Sequence, residues 1–130
     1  MTQNDTLATV LSQISNAVRV GKTNVTTTIS SKLIKEALSI MKDNGYIGGI
    51  EEITDSKGNY LEVTLNGRLN ASGVIKPRFA VKIDDFEKFE KRFLPAKGFG
   101  IIIVSTNKSL LTHNDAKEQN VGGRLISYCY

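Results

Sequence analysis

The sequence predicts a mixed α/β (α+β) fold made of two small packed domains. Its first half alternates apolar helical patterns with short β-branched runs, in the order α-β-α-β-β. After Gly67 the composition changes to turn-forming and basic residues, and the apolar runs that follow are typical of strands separated by short helices. We therefore expect an N-terminal α-β-α-β-β domain over residues 1–67 and a C-terminal, mostly β domain with short helices over residues 68–130.

Periodicity predicts the first helix and the first strand. Apolar residues recur at helical spacing from Leu7 to Val18, and residues 4–6 supply Asn, Asp and Thr as a start signal. The segment 19–22 contains a glycine that can end this helix. Residues 25–29 then have the β-branched density of a strand.

A second helix and a hairpin complete the N-terminal domain. Ser30 or Ser31 can cap a helix with one apolar face, and Asn44-Gly45 supplies its stop. Residues 50–54 and 60–65 predict two strands, because a glycine-containing turn separates two short runs of strand-forming residues.

The C-terminal domain is predicted to hold a short helix between strands. Asp84 or Asp85 can cap it, three phenylalanines recur at i, i+3 and i+7 within residues 86–93, and Pro95 prevents its continuation. This spacing favours core packing of the rings over stacking on nucleic acid. Strands are then predicted at 99–104 and 124–130, whereas Pro77 indicates an edge strand or a bulge.

Composition excludes several classes of protein. The chain has 130 residues, of which 40% are hydrophobic and 23% charged, as in a folded globular protein. Cys129 is the only cysteine and His113 the only histidine, which excludes an internal disulfide and a structural Cys/His zinc site. No apolar run reaches the roughly 20 residues of a membrane span, and no signal peptide is recognisable, so we expect a cytoplasmic protein without membrane contact.

The distribution of charge favours a polyanionic partner. The formal net charge is +4, and two segments contain basic residues without acidic ones. They lie between Asp5 and Glu36 and between Glu62 and Asp84. Their basic residues are Arg19, Lys22, Lys32 and Lys35 in the first tract, and Arg68, Lys76, Arg78 and Lys82 in the second.

A polar loop after the predicted strand 99–104 is the strongest candidate for a binding site. Residues 105–109 offer hydroxyls, an amide and one cation, and the mixture of donors and acceptors suits RNA better than the DNA major groove. Thr112 is placed to cap a following helix, whose free N–H groups could donate to a phosphate or a 2′-hydroxyl beside His113.

Two other function classes stay open on the residues alone. A small hydrolase or transferase could use His113 with a loop serine. Asp115 is the only nearby candidate to orient the histidine, but it falls at the third position of the predicted helix, where it would serve as a capping-box acid. A protein-interaction module could use the same loop, although it would not need two basic tracts.

Nearly the whole chain resembles a known family, small-subunit ribosomal protein number eight, in the branch shared by archaea and eukaryotes. The order, spacing and termination of the motifs carry the resemblance more than any single motif does. The matching segments are 5–8, 14–17, Arg19–Lys22, Ser31–Leu33, Asn44–Gly48, Ile75–Phe79 and the whole of Leu94–Tyr130, which ends in Tyr-Cys-Tyr.

The resemblance implies a structural constituent of the small ribosomal subunit. Such a protein binds the central domain of small-subunit rRNA directly, supports subunit assembly, contacts neighbouring ribosomal proteins and has no catalytic activity, metal or organic cofactor. Its own mRNA is a further RNA partner to consider, because bacterial relatives repress their messengers. The predicted RNA-binding residues are Ser105, Thr106, Asn107, Lys108, Ser109, Thr112, His113 and Gly123, together with Asn16, Arg19, Lys22, Ser31, Lys32, Arg68, Lys76 and Arg78.

This chain departs from the family pattern at two positions of the loop. Asn107 replaces a hydroxyl residue and keeps the ability to hydrogen-bond a base or a ribose. Ser109 replaces a glycine, and it would be strained if the turn required a positive φ there. We expect the loop to recognise local RNA shape and the basic residues of the N-terminal domain to hold phosphates.

Overall fold

A computed structural model describes residues 6–27, 32–55, 58–75, 79–95 and 99–130. The chain forms two compact units, Met1–Ser72 and Gly73–Tyr130. A domain boundary after Gly67 stays a prediction. The helices and strands within the described residues are α1 (Thr6–Arg19), β1 (Asn24–Thr27), α2 (Lys32–Asp43), β2 (Gly49–Asp55), β3 (Gly58–Thr64), β4 (Ser72–Val74), β5 (Ala80–Val81), α3 (Phe86–Phe93), β6 (Ile101–Ser105), β7 (Leu110–Thr112), α4 (His113–Glu118) and β8 (Gly123–Cys129).

In the first unit, two helices contact a three-stranded antiparallel sheet of order β1-β3-β2. The helices bury the apolar stripes that the sequence predicts, and the central strand β3 adds Leu61 and Val63. The fully buried helix residues are Leu7, Val10, Leu11, Ile14, Ile34, Ala37, Leu38 and Met41.

A tight glycine turn ends α1 and fixes the basic segment after it. Gly21 has φ +80°, a conformation that costs a residue with a Cβ more than it costs glycine. The Gly21 N–H donates to Val18 O at 3.1 Å, and the Lys22 N–H donates to Ala17 O at 2.9 Å. This pair of bonds is a Schellman motif, so Lys22 leaves the helix in a defined direction.

In the second unit, β8 and β6 form the centre of a sheet of order β4-β8-β6-β7, and β5 also pairs with β8. The β5–β8, β6–β7 and β6–β8 pairs are antiparallel. All four residues 101–104 of β6 are buried. Of these, Ile102 and Val104 lie in one core with α3 and α4. This core contains Ile75, Val81, Phe86, Phe89, Leu94, Ile102, Val104, Ala116 and Leu125.

The structure confirms the core role of the phenylalanine series and corrects its cap. Phe86 and Phe89 are buried, and Phe93 packs against the core beside Tyr128, with 5.6 Å between ring centroids. Asp85 caps no N–H of α3 with its side chain. Its Oδ2 accepts instead from the Lys82 N–H at 3.0 Å, which closes a short 3₁₀ turn before the helix.

Candidate nucleic-acid interface

The polar loop is the connection of a β-hairpin between β6 and β7. Ser105 pairs with Leu110, so residues 106–109 form the turn. The Thr106 N–H donates to Ser109 O at 3.0 Å, and the Thr106 hydroxyl donates to the same oxygen at 2.7 Å. That hydroxyl also accepts from the N–H groups of Lys108 and Ser109, each at 3.2 Å. A hydroxyl has one hydrogen and two lone pairs, so the side chain of Thr106 is fully used in closing the turn.

Other side chains of the loop are turned to solvent. Asn107, Lys108 and Ser109 are exposed, and Ser105 is half-buried at the end of β6. The Ser109 hydroxyl lies 3.4 Å from Leu110 O, at the long limit for a hydrogen bond. The loop therefore presents an amide, an ammonium and hydroxyls on a backbone that Thr106 holds in place.

Ser109 is not strained. Among the described residues other than glycine, only Asn120 has a positive φ, of 56°. The turn at Ser109 consequently does not need the left-handed conformation that glycine adopts easily. A serine at this position is compatible with the hairpin as it stands.

Arg124 adds a cation that the sequence analysis missed. It lies opposite Ser105 in the β6–β8 pair, and it is exposed. Directly paired residues of antiparallel strands project from the same face of the sheet, so Arg124 stands beside the start of the loop. Arg124 lies outside the two basic tracts and has no basic neighbour in the sequence, so charge clustering does not reveal it. Its place before the apolar pair Leu125-Ile126 in a predicted strand was the available signal.

Gly123 has a steric role in this interface. A Cβ built on Gly123 would lie 2.1 Å from Ser105 O, far inside van der Waals contact. The absence of a side chain lets β8 pass directly under the point where the loop begins. Sequence analysis placed Gly123 among the RNA-binding residues, and the structure shows a packing reason for glycine there.

Thr112 caps α4 as predicted. Its Oγ1 accepts from the Asp115 N–H at 3.2 Å, and the residue is only 5% exposed. The hydroxyl is therefore committed to the helix end. We assign Thr112 to the support of the interface, since a buried and bonded hydroxyl does not reach a partner on the surface.

His113 is the main correction to the sequence analysis, which placed it on the surface. It is 3% exposed, and its Nδ1 accepts from the Ile102 N–H at 3.1 Å. The neutral ring therefore carries its hydrogen on Nε2, which lies 3.3 Å from Glu90 Oε1. Burial lowers the pKa of His113 below its usual 6.5, although the Glu90 carboxylate opposes this shift.

A buried carboxylate connects His113 to a second helix. Glu90 of α3 is 9% exposed, and its Oε1 accepts from the ammonium of Lys117 in α4 as well as lying next to the histidine. Pairing and hydrogen bonding are what make a buried carboxylate tolerable. The group, which we call the Glu90 cluster (Glu90, His113 and Lys117), ties α3 and β6 to the helix that follows the loop hairpin.

The Glu90 cluster removes the basis of the hydrolase alternative. Both ring nitrogens of His113 have partners other than a loop serine. Burial raises the pKa of the Cys129 thiol to about 12, so the one cysteine is protonated and unreactive at neutral pH. In the part of the chain that the structure describes, neither His113 nor Cys129 therefore belongs to an activated pair of the kind that nucleophilic catalysis needs.

The N-terminal candidates lie at the end of α1 and elsewhere on the first unit. Asn16, Arg19 and Lys22 are exposed. They lie on the last turn of α1 and the glycine turn after it, where Asn16 O accepts the N–H of Val20. Lys32 is exposed at the first residue of α2. Arg68 is exposed, and its guanidinium lies next to Gly45. A Cβ built on Gly45 would be 3.5 Å from Nη1 of Arg68. Three further candidates, Ser31, Lys76 and Arg78, lie outside the described residues.

The chain as a whole matches one known family. The family model described as Ribosomal protein S8 matches residues 5–130, a span that includes most of the first compact unit and all of the second. Proteins of this family are structural, RNA-binding components of the small ribosomal subunit that act in translation, and they are not enzymes. They bind rRNA and neighbouring ribosomal proteins. This chain therefore belongs to the ribosomal protein S8 family and is a ribosome-associated, rRNA-binding structural protein of the small subunit.

Proposed function

We propose that this protein belongs to the archaeal and eukaryotic branch of its family, works in the cytoplasm, binds the central domain of small-subunit rRNA directly and supports assembly of the subunit. The observation that carries the proposal is the rigid hairpin loop. The hydroxyl of Thr106 is fully used inside the turn, which leaves Ser105, Asn107, Lys108 and Ser109 as the side chains available to a partner. A preorganised display of this kind loses little entropy when RNA binds.

Two parts of the protein would contribute differently to binding. The loop offers uncharged donors and acceptors suited to base edges and 2′-hydroxyls, with Lys108 and Arg124 beside them. Arg19 and Lys22 offer charge alone, on a turn whose direction the Schellman motif fixes. We therefore assign recognition of RNA shape to the loop, and sequence-independent affinity to the turn after α1.

A salt titration tests this assignment. The double variant Ser105→Ala/Asn107→Ala keeps Thr106, and hence the turn, while it removes outward-facing groups. We expect its affinity for a central-domain rRNA fragment to fall about tenfold or more, with the slope of log K against log salt unchanged. Affinity for a scrambled RNA of equal length should stay the same. The control is Ser39→Ala, a change at an exposed serine of α2.

Two results would contradict the proposal. One is equal affinity of the native protein for the central-domain fragment and the scrambled RNA. The other is native affinity of the double variant for the fragment, which would move recognition away from the loop. The proposal also includes binding to its own mRNA, for which the messenger leader should compete with the rRNA fragment for the same loop. Competition that survives in the double variant would place that contact elsewhere.

A further inference from the structure

Strand β7, which follows the polar loop, is the last strand in the described order β4-β8-β6-β7 and pairs there with β6 alone. Its three residues pair in register, Leu110 with Ser105, Leu111 with Val104 and Thr112 with Ile103. A ladder this short needs further contacts to be held firmly. The position of the loop therefore depends on how the two ends of the ladder are closed.

A backbone N–H of the β6 side closes each end of the ladder. In an antiparallel pair, every second pair of residues exchanges hydrogen bonds. At the loop end, the Thr106 N–H donates to Ser109 O at 3.0 Å. At the other end, the register continued by one residue places His113 opposite Ile102, and the Ile102 N–H donates to His113 Nδ1 at 3.1 Å. Both bonds follow the alternation of the same ladder.

The imidazole of His113 takes the place of a backbone carbonyl in this ladder. His113 is the first residue of α4, so its own carbonyl points along the helix axis instead of towards β6. The ring nitrogen accepts the bond that the carbonyl would accept if the strand continued. We call the bond from the Ile102 N–H to His113 Nδ1 the imidazole rung. Ile102 is 0% exposed and His113 3%, so water does not replace the ring as acceptor.

The imidazole rung requires one tautomer of the neutral ring. Nδ1 accepts a hydrogen bond only without a hydrogen of its own, and Glu90 Oε1 favours this tautomer because it lies 3.3 Å from Nε2. In protonated His113, an Nδ1–H group would face the Ile102 N–H, donor against donor. Within the described residues, the charged groups beside the ring are Glu90 from α3 and Lys117 from α4, whereas β6 contributes backbone only.

We infer that His113, held in one tautomer by Glu90, is a positioning residue for RNA binding. The neutral ring fixes the end of β7, and through β7 it fixes the loop in the arrangement that RNA recognises. Protonation breaks the imidazole rung and weakens binding by the loop. By linkage, bound RNA must then make His113 harder to protonate. This inference rests on the proposed role of the loop, and it adds a proton dependence to that role.

Two substitutions at His113 separate the acceptor from the ring. Asparagine carries its side-chain oxygen close to the place of Nδ1, so His113→Asn keeps an acceptor that does not titrate. His113→Leu leaves the buried Ile102 N–H without an acceptor. At about pH 7.5 we expect His113→Leu to bind the central-domain rRNA fragment about tenfold more weakly than native, and His113→Asn within about threefold.

The control for these variants is Gln119→Leu, at an exposed residue that ends α4. It should bind the fragment as the native protein does, and all the variants should keep native affinity for the scrambled RNA. Native affinity of His113→Leu for the fragment would overturn the inference.

The proton dependence can be followed by NMR, because the chain has a single histidine. The Cε1–H signal reports protonation of the ring, and rRNA affinity is measured on the same samples from about pH 7.5 to about pH 5. Relative to His113→Asn, which shares any titration of the RNA, the native protein should lose affinity only where its ring protonates. A ring that protonates without loss of affinity, or a loss of affinity while the ring stays neutral, would refute the inference.

Substitutions of the two charged neighbours should move this transition in opposite directions. Glu90→Gln removes a negative charge beside the ring and should shift the transition to lower pH. Lys117→Met removes a positive charge and should shift it to higher pH. A purely structural role of the cluster predicts no such opposite shifts, and their absence would count against a proton dependence carried by His113.

A measurement without RNA separates this inference from the proposed function. We expect the loop amides of Lys108 and Ser109 to exchange hydrogen about tenfold faster in His113→Leu than in the native protein, with exchange in α1 unchanged. If exchange responds in this way while Ser105→Ala/Asn107→Ala binds rRNA normally, the imidazole rung stands and the role of the loop fails. If the loop variant loses specific binding while His113→Leu keeps native exchange and affinity, the inference fails and the proposed function stands. The pH series of the native protein needs no substitution, so it decides the question if His113→Leu does not fold.

Discussion

At the scale of single residues, the loop proposed to bind RNA depends on atoms that are used inside the protein. Thr106 closes the turn, Gly123 provides room beneath Ser105, and His113 bonds the backbone of β6. Each was a candidate RNA contact from its position in the sequence. The structure assigns them a supporting role, because their polar atoms are used internally or because a side chain would collide with the backbone.

Gly123→Ala tests the steric role. The new methyl group would lie 2.1 Å from Ser105 O, so β8 and the start of the loop must separate. We expect a loss of about 1–3 kcal/mol in the free energy of unfolding, as for other overpacked sites, and a shifted Ser105 amide signal. Gly49→Ala is the control, because no atom lies within 4 Å of its Cβ position. An equal effect of the two changes, measured by urea unfolding, would refute the steric role.

The protonation of His113 gives a pH dependence of known sign. Its folded-state pKa lies below the usual 6.5 because the ring is buried, so the unfolded chain binds a proton more readily. The contribution of neutral, buried His113 to the free energy of unfolding is therefore fully present above about pH 6.5. It is lost as the pH decreases from there towards the folded-state pKa, by at most about 1.4 kcal/mol per pH unit for one proton. Urea unfolding between pH 7 and pH 5 measures this slope. His113→Gln should flatten it, and a variant with the native slope would assign the dependence to another group.

At the scale of elements, the hairpin β6–β7 presents the loop, and the Glu90 cluster connects α3 and α4 to β6 of that hairpin. Strand β6 is buried over residues 101–104, whereas the turn that follows is exposed except where Thr106 binds it internally. The chain thus changes from a packed core strand to an exposed polar loop within a few residues. Rigidity of the loop comes from Thr106, and this can be examined separately from the loop's outward groups.

Thr106→Ala and Thr106→Ser separate loop shape from loop chemistry. Serine keeps the hydroxyl that donates to Ser109 O and accepts two N–H groups, whereas alanine removes all three bonds. We expect the alanine variant to bind the central-domain rRNA fragment about tenfold more weakly and the serine variant within about twofold of native. Amide hydrogen exchange should show faster exchange at Lys108 and Ser109 in the alanine variant only. Equal rRNA affinity of both variants and the native protein would mean that the turn bonds do not matter for binding.

At the scale of the whole molecule, sequence patterns predicted most of the fold but less of the site. The helices α1 and α2 follow from their apolar periodicity and their glycine stops, which are local signals. The strands β5 and β7 have two and three residues, too few for any period, and neither was predicted. The two partners of the His113 ring, Glu90 and Ile102, are distant from it in the sequence and reach it only in the folded chain. No local pattern at residues 112–115 could therefore have revealed its burial.

The charges of the whole molecule can be tested as independent contributions. Arg19 and Lys22 belong to the first compact unit and Arg124 to the second, so we expect their contacts with phosphate to add. Replacing Arg19 and Lys22 by Ala should reduce the salt slope for the rRNA fragment by about two, Arg124→Ala by about one, and the triple variant by about three. Lys91→Ala, at an exposed lysine on α3, is the control. An unchanged slope for the Arg19 and Lys22 pair would remove the first unit from the RNA, whereas a triple variant no weaker than the pair would show that Arg124 faces solvent in the complex.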